Sequence, residues 1–139
     1  MIVVDTSAII AYMNSADTHH AAVSAWLAAE QDDLVTTPLV VAEADHLVAA
    51  RGGPAALSAL RADLAAGAYL VEWWPGAISE AVRVAERYAD TGLGLTDASL
   101  VVLAQRVGTA DIATLDERHF RAVRPLAGGD AFRLLPADP

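Results

Sequence analysis

Residues 1–10 read MIVVDTSAII, and the fold turns on how this stretch is understood. Ile2, Val3 and Val4 form a continuous β-branched run, the pattern of a short strand buried on both faces of a parallel sheet. The run ends in a charge, Asp5, after which Thr6 and Ser7 open a helix predicted from Ser7 to Met13. In an open parallel sheet, functional groups collect outside the carboxyl ends of the strands. Asp5 stands at such an end.

Outward from this stretch the same alternation continues. HHAAVSAWLAAE (residues 19–30) has helical spacing through Val23, Trp26 and Leu27. Leu34–Thr36 reads as a second strand, and Thr37-Pro38 starts a helix to about Ala50, with threonine at the N-cap and proline at the first helical position. Gly52-Gly53-Pro54 separates it from the helix AALSALRADLAAG (55–67), which Gly67 closes. Tyr69–Glu72 is the third strand, followed by a helix from Pro75 to Tyr88. After the turn TGLGL, Thr96 caps the helix DASLVVLAQRVG (97–108). Asp111–Thr114 is a fourth strand, Glu117–Phe120 a short helical turn, and Phe132–Leu135 a last strand. Short apolar strands alternating with helices predict one α/β domain over residues 1–139, with a central, mainly parallel sheet of about five strands.

Composition narrows the chemistry. The 139 residues carry 18 acids against nine basic side chains, a net charge of −9, and the pI is about 4.6. Bulk charge therefore argues against non-specific nucleic-acid binding, without excluding a local basic patch. There is no cysteine, so thiolate catalysis and cysteine-ligated zinc are excluded and any metal must bind oxygen or imidazole. There is no lysine either, which removes a P-loop, a Schiff base and a phospho-receiver at once. Mean hydropathy is high, +0.36, but no apolar run reaches spanning length, and the N-terminus lacks the basic flank of a signal peptide. A cytoplasmic protein with no membrane segment is expected.

Four acids stand out. Asp5 and Asp116 both follow strands and precede helices, where either could serve only as a cap. Asp97 lies in the first turn of a helix that is apolar nearly all round, from Ala98 through Ala104, where it could merely offset the helix dipole. Glu43 shares a helical face with Val40 and Leu47, so it is expected to interrupt an apolar stripe. Asp45, about 200° round the helix from Glu43, is expected to face solvent or a supporting partner. His46 reads as a partly buried structural histidine, and Trp26, Trp73 and Trp74 as core or staple residues. Four carboxylates converging on one sheet edge would repel each other and take up protons unless a divalent cation joined them. Carboxylate oxygens and water suit Mg²⁺ or Mn²⁺ better than zinc, and such an ion suggests phosphate chemistry, including on RNA.

With these residues in hand, VVDTSAII, VVAEADHLV, GLGLTDASLVVLA and IATLDERHF together resemble a PIN-domain ribonuclease of the VapC toxin type, in order along nearly the whole chain. The resemblance implies a PIN-like three-layer α/β/α sandwich and an acid cluster that binds Mg²⁺ or Mn²⁺. It further implies endonuclease action on structured RNA such as tRNA or rRNA, inhibiting translation. Carried over position by position, the acids are Asp5, Glu43, Asp97 and Asp116. The family also suggests that the Ser7 hydroxyl holds a metal-bound water or a neighbouring carboxylate, although Ser7 could instead cap the first helix. A small cognate antitoxin of the VapB kind and a homodimer are implied in the same way.

Arg118, Arg121 and Arg124 follow the last acid closely. They could contact RNA phosphates through their guanidinium forks, or form a solvated face with surface salt bridges. The main rival is an inactive PIN-like module that binds RNA or protein without cutting. A dehalogenase-type phosphatase would want a second acid where Ser7 stands, and a chain this short has little room for the guiding insertions of a DNA flap nuclease.

Overall fold

The computed structural model describes residues 1–139. The chain runs β1 (Ile2–Val4), α1 (Thr6–Met13), α2 (His20–Ala29), β2 (Leu34–Thr36), α3 (Pro38–Arg51), α4 (Gly53–Ala65) and β3 (Leu70–Val71) in its first half. The second half is α5 (Ala77–Arg87), a single 3₁₀ turn (Ala89–Thr91), α6 (Leu95–Val107), β4 (Asp111–Ala113), α7 (Glu117–Ala122) and β5 (Arg133–Leu135). All five strands are parallel, in the order β3-β2-β1-β4-β5. Helices cover the sheet in the three-layer α/β/α arrangement that the family resemblance implies. No helix is long and apolar enough to cross a membrane.

The strand order decides where a site can form. From β1 the chain crosses to β2 on one side of the sheet, and it later enters β4 on the other side, so the two connections leave a crevice between the carboxyl ends of β1 and β4. Register brings those ends level: Val4 pairs with Ala113, and the Asp5 amide donates to the Ala113 carbonyl at 2.9 Å. The inner strands β1 and β2 are short and rich in β-branched residues because both of their faces are covered, whereas the edge strand β3 is exposed. Val3, Val35, Ile112 and Leu134 are completely buried.

Helix α6 is the most deeply packed helix, with every residue from Ala98 to Ala104 buried. It lies against β1 and α5, while α1 packs on α2 and α3 and α3 packs on α4. Hydroxyls fix the ends of these elements. Thr37 caps α3, and its Oγ1 lies 2.9 Å from Ser99 Oγ, which donates to the Thr96 carbonyl at 2.6 Å. The starts of α3 and α6 are thereby tied together.

Several boundaries differ from expectation, each for a local reason. Only Leu70 and Val71 of the third strand pair with β2, while Tyr69 turns into the core, where burial pushes its phenol up to about 12. Helix α5 begins at Ala77, not Pro75, because Gly76 at φ +90° interrupts the entry. Helix α6 starts one residue before Thr96 and is capped by Gly94. Trp26 and Trp74 pack against the core, but Trp73 is 39% exposed, against its predicted core role.

Phe120 is fully buried on α7, the short helix that follows Asp116. Phe120→Ala is expected to cost about 3–5 kcal/mol, read as a lower midpoint in urea unfolding.

Candidate active site

Asp5 is almost wholly buried, 4% exposed, and its carboxylate is held on every side. Oδ1 accepts the Thr6 amide at 2.7 Å, so Asp5 itself is the N-cap of α1. Oδ2 accepts the hydroxyls of Ser7 at 2.7 Å and Thr114 at 2.8 Å. Each hydroxyl in turn accepts a backbone amide from the β4–α7 loop: Leu115 on Ser7 at 2.9 Å and Asp116 on Thr114 at 3.0 Å. Burial raises the Asp5 carboxyl above its ordinary range, and the hydrogen bonds from Ser7, Thr114 and Thr6 oppose that rise. Ser7 does not cap the helix; it locks the carboxylate that does.

Asp97 and Asp116 arrive from the other side. Asp97 sits in the first turn of rigid α6, with its side chain 18% exposed. Asp116 caps α7, its Oδ1 accepting the His119 amide at 3.3 Å. The capping turn folds His119 back so that Nδ1 lies 3.0 Å from both Asp97 Oδ2 and Asp116 Oδ2, without a well-directed hydrogen bond to either. Burial pushes Asp97 up to about 6; the charge of Asp5 and, less strongly, that of Asp116 add to the rise, while His119 opposes it. One ligand atom from each of Asp97, Asp116 and His119 falls within 4.8 Å of the others, a grouping that could hold a metal ion.

Glu43 stands differently from its expected position. Helix α3 buries Val40, Ala44 and Val48, which turns Glu43 to an exposed position and not into the apolar stripe. It nevertheless borders the same open cavity of about 310 Å³ as Asp5, Ser7, Asp97 and Asp116. Asp45 pairs with Arg61 at 2.7 and 2.9 Å, a supporting contact outside the cavity, and His46 is exposed. All four predicted acids and Ser7 therefore face one space.

The arginines divide. Arg121 is held by Glu117 and Asp138 at 2.7–3.2 Å, which is the surface salt-bridge arrangement and leaves its fork committed. Arg118 and Arg124 are exposed. Sequence reasoning did not single out Thr114 or His119, although both stand within or beside IATLDERHF. The signal for His119 was its place three residues after a capping aspartate, which returns a side chain to the cap. Thr6 Oγ1 is also buried beside the cavity with no hydrogen-bond partner.

The PIN domain family matches this sequence over residues 2–125. The chain is 45% identical over 136 residues to Ribonuclease VapC26 of Mycobacterium tuberculosis (strain ATCC 25618 / H37Rv), an alignment that covers 97% of this chain and 100% of that protein. Its fold matches the crystal structure of Mycobacterium tuberculosis VapC20, a sarcin–ricin loop cleaving toxin. The TM-score is 0.78 at 23% identity, with 84% of this chain and 90% of that one covered.

The geometry makes two predictions. Thr114→Val keeps the shape of the side chain but removes one of the two hydroxyl donors to Asp5 Oδ2 and leaves the Asp116 amide without its acceptor, and is expected to cost about 1–3 kcal/mol in chemical denaturation. Because the folded-state pKa of Asp97 is raised, its stabilising protonation is complete below the ordinary value of 3.8 and is lost as pH rises through about 6. A divalent cation competes with that proton. The rise in Tm on adding Mn²⁺ is therefore expected to be larger at about pH 7.5 than at about pH 5; equal shifts at the two would contradict it.

Proposed function

The chain belongs to the PIN-domain family, and from that premise we propose that it is an endoribonuclease of the VapC toxin type that cuts structured RNA with Mg²⁺ or Mn²⁺. The observation that carries the reading is the close set of Asp97, Asp116 and His119 facing the buried Asp5 across the β1–β4 crevice. The donor set fits a divalent cation. Its carboxylates are close enough that burial and mutual repulsion hold Asp97 up at about 6, and a cation relieves that repulsion. Asp5, Asp97 and Asp116 would hold the ion, with Glu43 across the cavity as a further acid. Oxygen-rich donors favour Mg²⁺ or Mn²⁺.

When bound, such an ion lowers the pKa of water and offsets charge on a phosphodiester undergoing in-line hydrolysis. The side chains supply the rest. Ser7 and Thr114 hold the Asp5 carboxylate in one orientation, because both of their hydroxyl hydrogens point at Oδ2 and both oxygens are fixed by backbone amides. Glu43, exposed on the cavity wall, has a carboxylate free to accept a proton from an attacking water. Arg118 and Arg124, neither engaged in an ion pair, are placed on and just beyond α7 to contact phosphates of a bound RNA.

The expected substrates are tRNA or rRNA, the setting the cytoplasm, and the regulator a small cognate antitoxin covering the acidic cavity. A homodimer is also part of this reading. Exposed apolar side chains at Leu70, Val71, Trp73, Ile78 and Val82 support a protein partner surface.

The test is incubation of the purified protein with total RNA in Mg²⁺ or Mn²⁺. Discrete cleavage is expected that disappears in EDTA and falls roughly a hundredfold or more in Asp97→Asn, as when one charged group leaves a preorganised site. Cleavage surviving EDTA would overturn the metal requirement. No cleavage of any RNA, together with no Mn²⁺-dependent thermal shift, would leave a non-cutting binding module instead.

A further inference from the structure

We propose that the cleft between α5 and α6 binds the phosphodiester backbone of a structured RNA, with Arg83 and Arg87 as its anion-binding groups. The inference rests on the endoribonuclease reading above and gives that activity a second contact surface, away from the acids. The cleft encloses about 380 Å³. Val84, Val102 and Leu126 form its apolar floor, and Arg83, Arg87 and Gln105 supply its polar side.

Helix α5 buries Ala77, Ala81 and Val84, which leaves Arg83 and Arg87 exposed one turn apart. Like charges at this spacing repel and destabilise a helix unless something anionic joins them. Nothing in the chain does so. Arg61, Arg121 and Arg133 each hold a carboxylate within 2.9 Å, whereas Arg83 and Arg87 hold none, in a chain with 18 acids for nine basic residues. Six of the nine arginines form no ion pair, and two of these, Arg83 and Arg87, line one cleft.

The ends of the cleft extend the positive surface. Arg87 lies 5.8 Å over the Tyr88 ring, and the Tyr88 hydroxyl accepts the Arg124 backbone amide at 3.3 Å, which places the Arg124 backbone at that end. At the other end, the one acid of the cleft, Glu80, accepts the Trp74 indole N–H at 3.3 Å. Arg106 covers that indole at 5.1 Å.

Val102 and Gln105 lie about 8 and 12 Å along α6 from Asp97, at 1.5 Å per residue. One helix thus carries an acid of the proposed cutting site and a wall of the cleft. Structured RNA is recognised mainly by shape and backbone contacts, for which guanidinium forks are suited.

The experiment uses the Asp97→Asn chain, chosen because the expected loss of cutting leaves any bound RNA intact, and fluorescence anisotropy with labelled bulk tRNA over a salt series. Adding Arg83→Gln and Arg87→Gln is expected to weaken binding about tenfold near 0.1 M salt and to reduce the log–log salt slope by about 1 to 2. Arg61→Gln with Arg133→Gln, the same change of charge at paired positions, is expected to leave affinity within about twofold and the slope unchanged. A Tm equal to that of the Asp97→Asn parent shows that the cleft variant is folded. The proposal is overturned if the two double variants behave alike, or if the Asp97→Asn parent binds no RNA. Wild-type cleavage of total RNA, scored alongside, separates the two readings: cutting with no effect of Arg83 and Arg87 removes the cleft and keeps the nuclease.

Discussion

The buried carboxylate of Asp5 is the constraint on which the rest of the molecule depends. An isolated carboxylate in an apolar interior is so costly that it normally takes up a proton or finds partners. Asp5 has three donors within 2.8 Å, and they come from both sides of the β1–β4 crevice. Ser7 belongs to α1 and Thr114 to the loop after β4, and both hydroxyls are themselves fixed by amides of that loop. The network therefore joins two strand ends that are 109 residues apart in sequence at one pair of oxygen atoms. Hydrogen bonds to a charged acceptor are stronger than neutral ones and lose most when one partner is removed.

Around this anchor the site is assembled from elements whose stability comes from elsewhere. Helix α6 is buried over seven consecutive residues, so Asp97 at its start is held by packing and need not find its own support. Asp116 is held by the cap it provides to α7, and α7 by Phe120 in the core. The cost appears in Asp97, raised to about 6 first by burial and then by the charge of Asp5. His119 lies between Asp97 and Asp116, where a protonated imidazole would reduce the repulsion and a metal ion would remove it more fully.

Periodicity made the fold legible because the strands are short, largely apolar runs alternating with helices, some of which have recognisable ends. Thr37-Pro38 and Gly108 mark their helix ends as predicted. Less legible were features set by tertiary contact. Tyr69 leaves β3 for the core, and Trp73 stays exposed although the adjacent Trp74 packs inward. In the site, Asp5, Asp97 and Asp116 were visible because each stands where a strand or helix begins or ends. Glu43 was visible for a partly wrong reason: its face of α3 opens onto the cavity and does not enter the core. Thr114 was hidden because a threonine at a strand end carries no charge signal, and its role appears only when β4 is set beside β1.

Charge is distributed as unevenly as burial. Three arginines are spent on surface ion pairs with Asp45, Asp111, Glu117 and Asp138, all outside the acidic cavity. These pairs are exposed and contribute little to stability, but they neutralise acids that would otherwise deepen the negative field around the protein. The arginines left without acids lie at Arg51 on the cavity rim, at Arg118 and Arg124 on and after α7, and along α5 and α6. A polyanion approaching a chain of net charge −9 therefore meets local positive potential beside a cavity that only a cation makes hospitable. Local fields of this kind act over a Debye length, roughly 8 Å at physiological salt, so the arrangement of the six unpaired arginines outweighs the sum of all charges.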